Sequence, residues 1–160
     1  MSPRAAWRLE AMGFERVYDY EDGKRDWGSF GLPREGKKAQ EPSGGDLARR
    51  DVPTCLLEHD LGEVRQRVRA SGWETCMVVN EQGIVLGRLG RKALRADSDQ
   101  TVEQAMTEGP STVRPSIGGS AVLKRMIDDG LTSFVVTTAD GKLVGVVLRK
   151  EAEGVLAQRY

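Results

Sequence analysis

The chain is poor in the residues that most catalysis requires. It has one histidine, His59, and two cysteines, Cys55 and Cys76, among 160 residues. A hydrolytic triad would have to use His59, and nothing around it supports one. Two cysteines cannot make a disulfide scaffold. His59 follows Cys55 by four positions and Cys76 is distant, which fits no common zinc spacing. Phosphate-cradling glycine loops of the Walker A and G-x-G-x-x-G types are absent, and so is a paired-carboxylate site.

Long apolar runs are also lacking. The longest, Leu143 to Leu148, spans about six residues, against the ~20 that cross a bilayer. No apolar run follows Met1-Ser2-Pro3-Arg4, so no signal peptide is expected. The 24 basic residues balance 24 acidic ones, leaving no net field to draw the protein to nucleic acid or anionic lipid. Arg65, Arg67 and Arg69 are spaced two apart, which on a helix points them in different directions. These absences predict a cytoplasmic, non-enzymatic protein without nucleic-acid or membrane partners.

What the chain does have is a repeat. At a constant offset of 58, Thr54 falls on Thr112, Val64 on Val122, Gly72 on Gly130 and Val78 on Val136. Gly83 falls on Gly141, Gly87 on Gly145, Arg91 on Arg149 and Lys92 on Lys150. Such self-similarity defines the architecture before any local element does. Each copy begins with a short helix ("GDLARR", "VEQAMTE") and a brief strand carrying a hydroxyl ("VPTCLL", "PSTVRP"). A helix follows, with apolar residues at near-helical spacing (Leu61, Val64, Val68; Val122, Met126) and a glycine to cap it. Two apolar strands joined by "NEQG" or "ADGK" come next, and the RK pair opens a closing helix. The fold class is therefore α+β: two helix-strand-helix-strand-strand-helix repeats packed as a pseudo-two-fold pair. The predicted boundaries are 46–100 and 101–155. Residues 34–45, "REGKKAQEPSGG", read as a linker outside any core.

The residues also carry family resemblances. "MTEGPSTVRPS" (106–116) resembles the opening of a CBS domain, and "VLGRLGRKAL" and "LVGVVLRKEA" resemble its closing motif. Over roughly 46–155 the chain resembles a tandem CBS pair, or Bateman module. The head, "GFERVYDYEDGKRDWGSFGLP", resembles the tail of a rhodanese domain, with residues 1–33 as a remnant lacking the catalytic cysteine loop. It predicts a small helix-strand-helix extension whose apolar face (Trp7, Leu9, Met12, Phe14, Val17) packs on the body or on a second subunit.

The CBS resemblance implies an inter-repeat cleft for an adenosine-bearing ligand: AMP, ADP, ATP, S-adenosylmethionine or NAD. Carried onto this chain, it makes Thr54 and Thr112 the strand hydroxyls that meet adenine. Val78 and Val136 become candidates to flank the base, and Gly87 and Gly145 the closing-motif glycines. Arg91, Lys92, Arg149 and Lys150 become candidates to face phosphate. The ribose carboxylate falls on Glu151 in the second repeat but on Ala93 in the first. Thr54 with Glu151 is therefore the better cleft, and Thr112 with Ala93 the poorer. The resemblance also implies a homodimer formed through the repeat helices and a regulated protein partner. The alternatives are a dimeric scaffold without ligand and a fragment of a sulfurtransferase.

Overall fold

The computed structural model describes residues 3–18, 27, 35, 41–96 and 100–158. Helix α1 (Pro3–Ala11) starts with proline in its first turn, where the missing N–H costs nothing. It stops at Gly13, whose φ is +92°. Residues 14–18 form no strand, so the extension departs from the expected helix-strand-helix order. Of the expected apolar face, Trp7, Met12 and Phe14 are exposed, while Leu9 and Val17 are half-buried, so most of that face is open to water. The expected glycine turn and Gly31-Leu32-Pro33 lie outside the described residues.

The first repeat comprises α2 (Gly44–Leu47), β1 (Thr54–Cys55), α3 (Leu61–Ser71), β2 (Cys76–Val79), β3 (Val85–Leu89) and α4 (Arg91–Arg95). The second comprises α5 (Val102–Ala105), β4 (Thr107–Glu108), β5 (Thr112–Val113), α6 (Gly119–Asp128), β6 (Ser133–Thr137), β7 (Leu143–Leu148) and α7 (Arg149–Ala157). Capping boxes open both copies at the same offset. Ser43 accepts from the Asp46 N–H and Thr101 from the Gln104 N–H, and each third residue bonds back to its cap. Ser43, Gly44 and Gly45 are buried, which corrects the linker's end: the body starts at about Pro42. The "MTE" of the second opening is not helical either. Its Thr107 and Glu108 form β4.

In each copy the opening strand runs parallel to the middle strand, which pairs antiparallel with the last. Helices cover one face. Beneath them the cores repeat residue for residue: Val64, Val68, Val78 and Leu89 in the first copy, Val122, Met126, Val136 and Val147 in the second. Gly72 and Gly130 end α3 and α6 with φ of +73° and +65°, where a Cβ would be strained.

The other sheet faces meet. Met77 of the first repeat and Val135 and Val146 of the second share one buried cluster. Backbone exchange strengthens this contact. The start of each repeat crosses to the other's last strand: Thr107 pairs with Arg88, and Arg49 with Val146. These pairs are related by the same offset of 58. The hairpin tips also join. Val85 donates to the Gly141 carbonyl at 3.1 Å, and Leu143 to that of Gly83 at 3.0 Å. A single copy would leave these groups and an apolar sheet face in water, so the pair folds as a unit.

Candidate functional site

The crossings place the ends of the repeats beside one another. Strand alternation turns Cys55 into the helix-side core and Thr54 to the opposite face, which it shares with its partner Met77. Thr112 stands likewise across from Val135. Both threonines are exposed. Glu151 lies in the first turn of α7, and Arg49 of the first repeat reaches it. Arg49 Nη1 donates to Glu151 Oε1 at 3.1 Å, and Nε donates to Asp51 Oδ1 at 3.0 Å. The guanidinium lies 4.6 Å from the centre of the Trp73 ring, and Trp73 Nε1 donates to Asp51 Oδ2 at 3.4 Å. Four side chains from both repeats thus close on one point. The hydrogen bond from Arg49 holds the Asp51 carboxyl at about 2, below its ordinary value, and both acids raise the Arg49 guanidinium further.

The other cleft is built differently. The positions that match Arg49, Asp51, Trp73 and Glu151 are Thr107, Gly109, Leu131 and Ala93, with no charge among them. Its charged residue is instead Arg88 on β3, whose Nε donates to Thr75 Oγ1 at 3.0 Å.

Several expected site residues lie elsewhere. Val78 and Val136 are 0% exposed and point into the helix-side cores, so neither can flank a base without repacking. This corrects their assignment. A buried apolar residue on a central strand packs under the covering helix unless its pleat faces the cleft. Gly145 is a crossing point: a Cβ there would lie 2.4 Å from the Arg49 carbonyl oxygen. Gly87 answers the same need, with the Thr107 carbonyl at 3.1 Å and Met106 Sδ at 2.4 Å. Arg149 is tied to Glu153 at 3.0 Å, and Arg91 to Glu74. Lys92 and Lys150 are exposed.

Cys55 and Cys76 are 2% and 0% exposed. Sulfur transfer needs an accessible thiolate, and neither supplies one. His59, just before α3, lines a groove of about 230 Å³ with Glu63, Val64 and Arg67. A second groove, about 290 Å³, lies between α6 and α7 against Leu123, Lys124, Ile127, Asp128 and Leu156.

Arg49, Asp51 and Trp73 were missed by motif reading because they belong to no motif. Comparing the two copies would have found them, since their charge and aromaticity have no match 58 residues on.

This fold is similar to that of solved CBS-domain pairs. Residues 102–156 match the family model of the CBS domain. The CBS pair of protein MJ0100, solved with 5′-methylthioadenosine and S-adenosyl-L-methionine, superposes with a TM-score of 0.65 at 15% identity. That match covers 75% of this chain and 99% of the other. CBSX2 in complex with AMP superposes with a TM-score of 0.67 at 18% identity, over 74% and 98% of the two chains. In sequence, the chain is similar to the uncharacterized protein MK0525 of Methanopyrus kandleri, 24% identical over 117 residues. This covers 68% of the chain and 60% of that relative, so the match leaves a good part of the relative unspanned. Among the described residues no helix is long and apolar enough to cross a membrane.

Proposed function

We propose that this protein is a regulatory CBS pair that binds an adenosine-bearing ligand in the cleft holding Thr54 and Glu151. The observation that carries this reading is the contact of Arg49 and Glu151, which brings a cation and a carboxylate from different repeats to one cleft. A ribose diol is well matched to an ionised carboxylate that can accept two hydrogen bonds. Ligand entry transfers Glu151 from Arg49 to the ribose hydroxyls and frees the Arg49 guanidinium for the phosphate or carboxylate of the ligand. Thr54, exposed on the same face as Met77, serves the adenine edge. Because the cleft joins the repeats, occupancy changes how tightly they are held together, and a partner that senses this spacing reads the ligand.

The output surface in this proposal is the outer face of α6 and α7, where Ile127, 51% exposed, lines the apolar groove with Leu123 and Leu156. A second copy covers it. Lys124 and Asp128 line the groove and pair with each other at 2.9 Å, which leaves its rim close to neutral beside a second copy. The same apolar face supports the second reading, a dimeric scaffold without ligand.

The test is a thermal-shift panel with AMP, ADP, ATP, NAD and S-adenosylmethionine. A ligand at one hundred times its dissociation constant adds about 2.7 kcal/mol, which raises the melting temperature by roughly 5–10 °C for a chain of this size. A shift abolished by Glu151→Ala and reduced by Thr54→Val supports the sensor. A flat panel at millimolar ligand favours the scaffold.

A further inference from the structure

The helix faces of the two repeats use matching positions for different chemistry. On the second repeat, Leu123 and Ile127 line the groove between α6 and α7. At the offset of 58 their places on α3 are held by Arg65 and Arg69. Glu153 of α7 is matched by Arg95 of α4, and Glu151 by Ala93. Each of these exchanges makes the first face more basic. Helix α4 carries Arg91, Lys92 and Arg95 and no acid, whereas the matching stretch of α7 carries Arg149, Lys150, Glu151 and Glu153. The one acid of α3, Glu63, lies in its first turn, at the groove beside His59.

The basic side chains gather at the seam of α3 and α4. Arg65 and Arg69 are four residues apart, so they share one side of α3. Arg65 Nε donates to the Ala93 carbonyl of α4 at 3.2 Å, which fixes that side as the one toward α4. At the end of α3 the chain turns at Gly72 and reaches Glu74, which pairs with Arg91 and, at 3.3 Å, with Arg95. One exposed carboxylate thus serves two exposed guanidiniums. Arg69 and Lys92 are exposed as well, and among the described residues neither forms an ion pair. By contrast, the second face pairs Lys124 with Asp128, Arg125 with Asp129 and Arg149 with Glu153.

We propose that the α3–α4 face docks an acidic polypeptide segment of a partner protein. The argument is charge complementarity. A guanidinium meets a carboxylate as a two-pronged donor, and Glu74 is an example of a carboxylate held by these same arginines. Carboxylates of the partner engage Arg69 and Lys92, and share Arg91 and Arg95 with Glu74. A second copy of this chain is a poor occupant, because a two-fold contact here sets arginine against arginine. Nucleic acid is a poor one too. The 24 basic residues of the chain are matched by 24 acidic ones, so the excess charge that a phosphate backbone rewards is lacking. Neither α3 nor α4 carries an aromatic side chain on which a base could stack. The surface lies on the helix side, away from the inter-repeat cleft, so the proposal does not rest on the adenosine reading.

The test is fluorescence anisotropy of a labelled oligoglutamate peptide titrated with the full chain. Saturable binding that weakens as salt is added is expected, with no binding of an oligolysine peptide. Arg69→Glu and Lys92→Glu should each weaken it several-fold, and together abolish it. Arg69→Gln and Lys92→Gln remove the charges without reversing them, and decide the matter if the reversed variants do not fold. Lys142→Glu, beside Asp140 on the hairpin tip of the second repeat, changes the net charge by the same amount as either single reversal and should leave binding unchanged. Lack of binding at low salt, or an equal loss in Lys142→Glu, overturns the proposal. Tighter binding of duplex DNA or of phosphatidylserine vesicles than of the peptide overturns it as well. The nucleotide panel reads the inter-repeat cleft, so the two readings fail independently.

Discussion

Arg49 and Glu151 are 102 residues apart in the chain and joined by a 3.1 Å hydrogen bond. Both side chains are well exposed, at 40% and 47%. An ion pair of this exposure adds little to stability, because water and salt screen it, so its value lies in placement. Arg49→Ala should therefore leave the melting temperature within a few degrees of wild type. In the proposed site it should weaken AMP by about tenfold, since it removes a charge-assisted bond to phosphate. Adenosine, with no phosphate, should bind as well or better, because Glu151 is no longer occupied. Equal losses for both ligands would show that Arg49 acts by holding the repeats in place.

The same cluster sets an acid response. The Asp51 carboxyl is held at about 2, first by its hydrogen bond from Arg49. The unfolded value is near 3.9. A folded value below the unfolded one means that this group's contribution is complete above about pH 4 and fades as the pH falls toward 2. Asp51 is on the surface, so the contribution is small and should shrink with added salt. Thermal melts of wild type and Asp51→Asn should differ by a constant amount from pH 7 to about pH 4, then converge at lower pH. Curves that stay parallel down to pH 2 would remove Asp51 from this role.

The two crossing glycines give an internal control. At Gly145 an added Cβ meets backbone, the Arg49 carbonyl oxygen at 2.4 Å and carbon at 3.0 Å. At Gly87 the nearest atom is Met106 Sδ at 2.4 Å, the end of a flexible side chain. Methionine can turn aside and the Arg49 backbone cannot, since it is bonded to Val146 in both directions. Gly145→Ala should cost about 1–3 kcal/mol, and Gly87→Ala clearly less. Chemical denaturation measures both. If Gly87→Ala is the more damaging, the first repeat's crossing is the more rigid one.

Much of this was legible in the sequence because the offset of 58 holds through loops as well as elements. Apolar spacing located α3 and α6, and Gly72 and Gly130 marked their ends. The openings were harder. "VEQAMTE" has helical composition throughout, yet β3 offers a free edge and captures Thr107 and Glu108 as a strand. Ser43 to Gly45 looked like linker because glycine suggests flexibility, but each packs closely on the segment around Pro115 and Ile117. In the proposed site, Thr54 and Glu151 come from the motif resemblance. Arg49, Asp51, Trp73 and Arg88 were not, because their roles arise only where the copies differ. Between the two closing motifs the difference is one carboxylate, Glu151 in the second copy against Ala93 in the first.

The apolar face of α6 and α7 yields the last prediction. The matching positions on α3 replace Leu123 with Arg65 and Ile127 with Arg69. Two copies joined through their second repeats bury apolar surface on both sides, whereas a first-repeat contact brings arginines together. The axis of the proposed dimer therefore passes beside α6, and Ile127 lies at its centre. Ile127→Arg places two like charges across that axis and should convert a dimer to a monomer at micromolar concentration, while an arginine in that exposed position leaves the fold intact. Light scattering reads the result directly, as a fall from twice the chain mass of 17.6 kDa to that mass itself. Arg69→Glu on the matching face of the first repeat should leave the dimer unchanged. A wild type that is already monomeric, or a dimer that survives Ile127→Arg but not Arg69→Glu, would move the interface away from the second repeat.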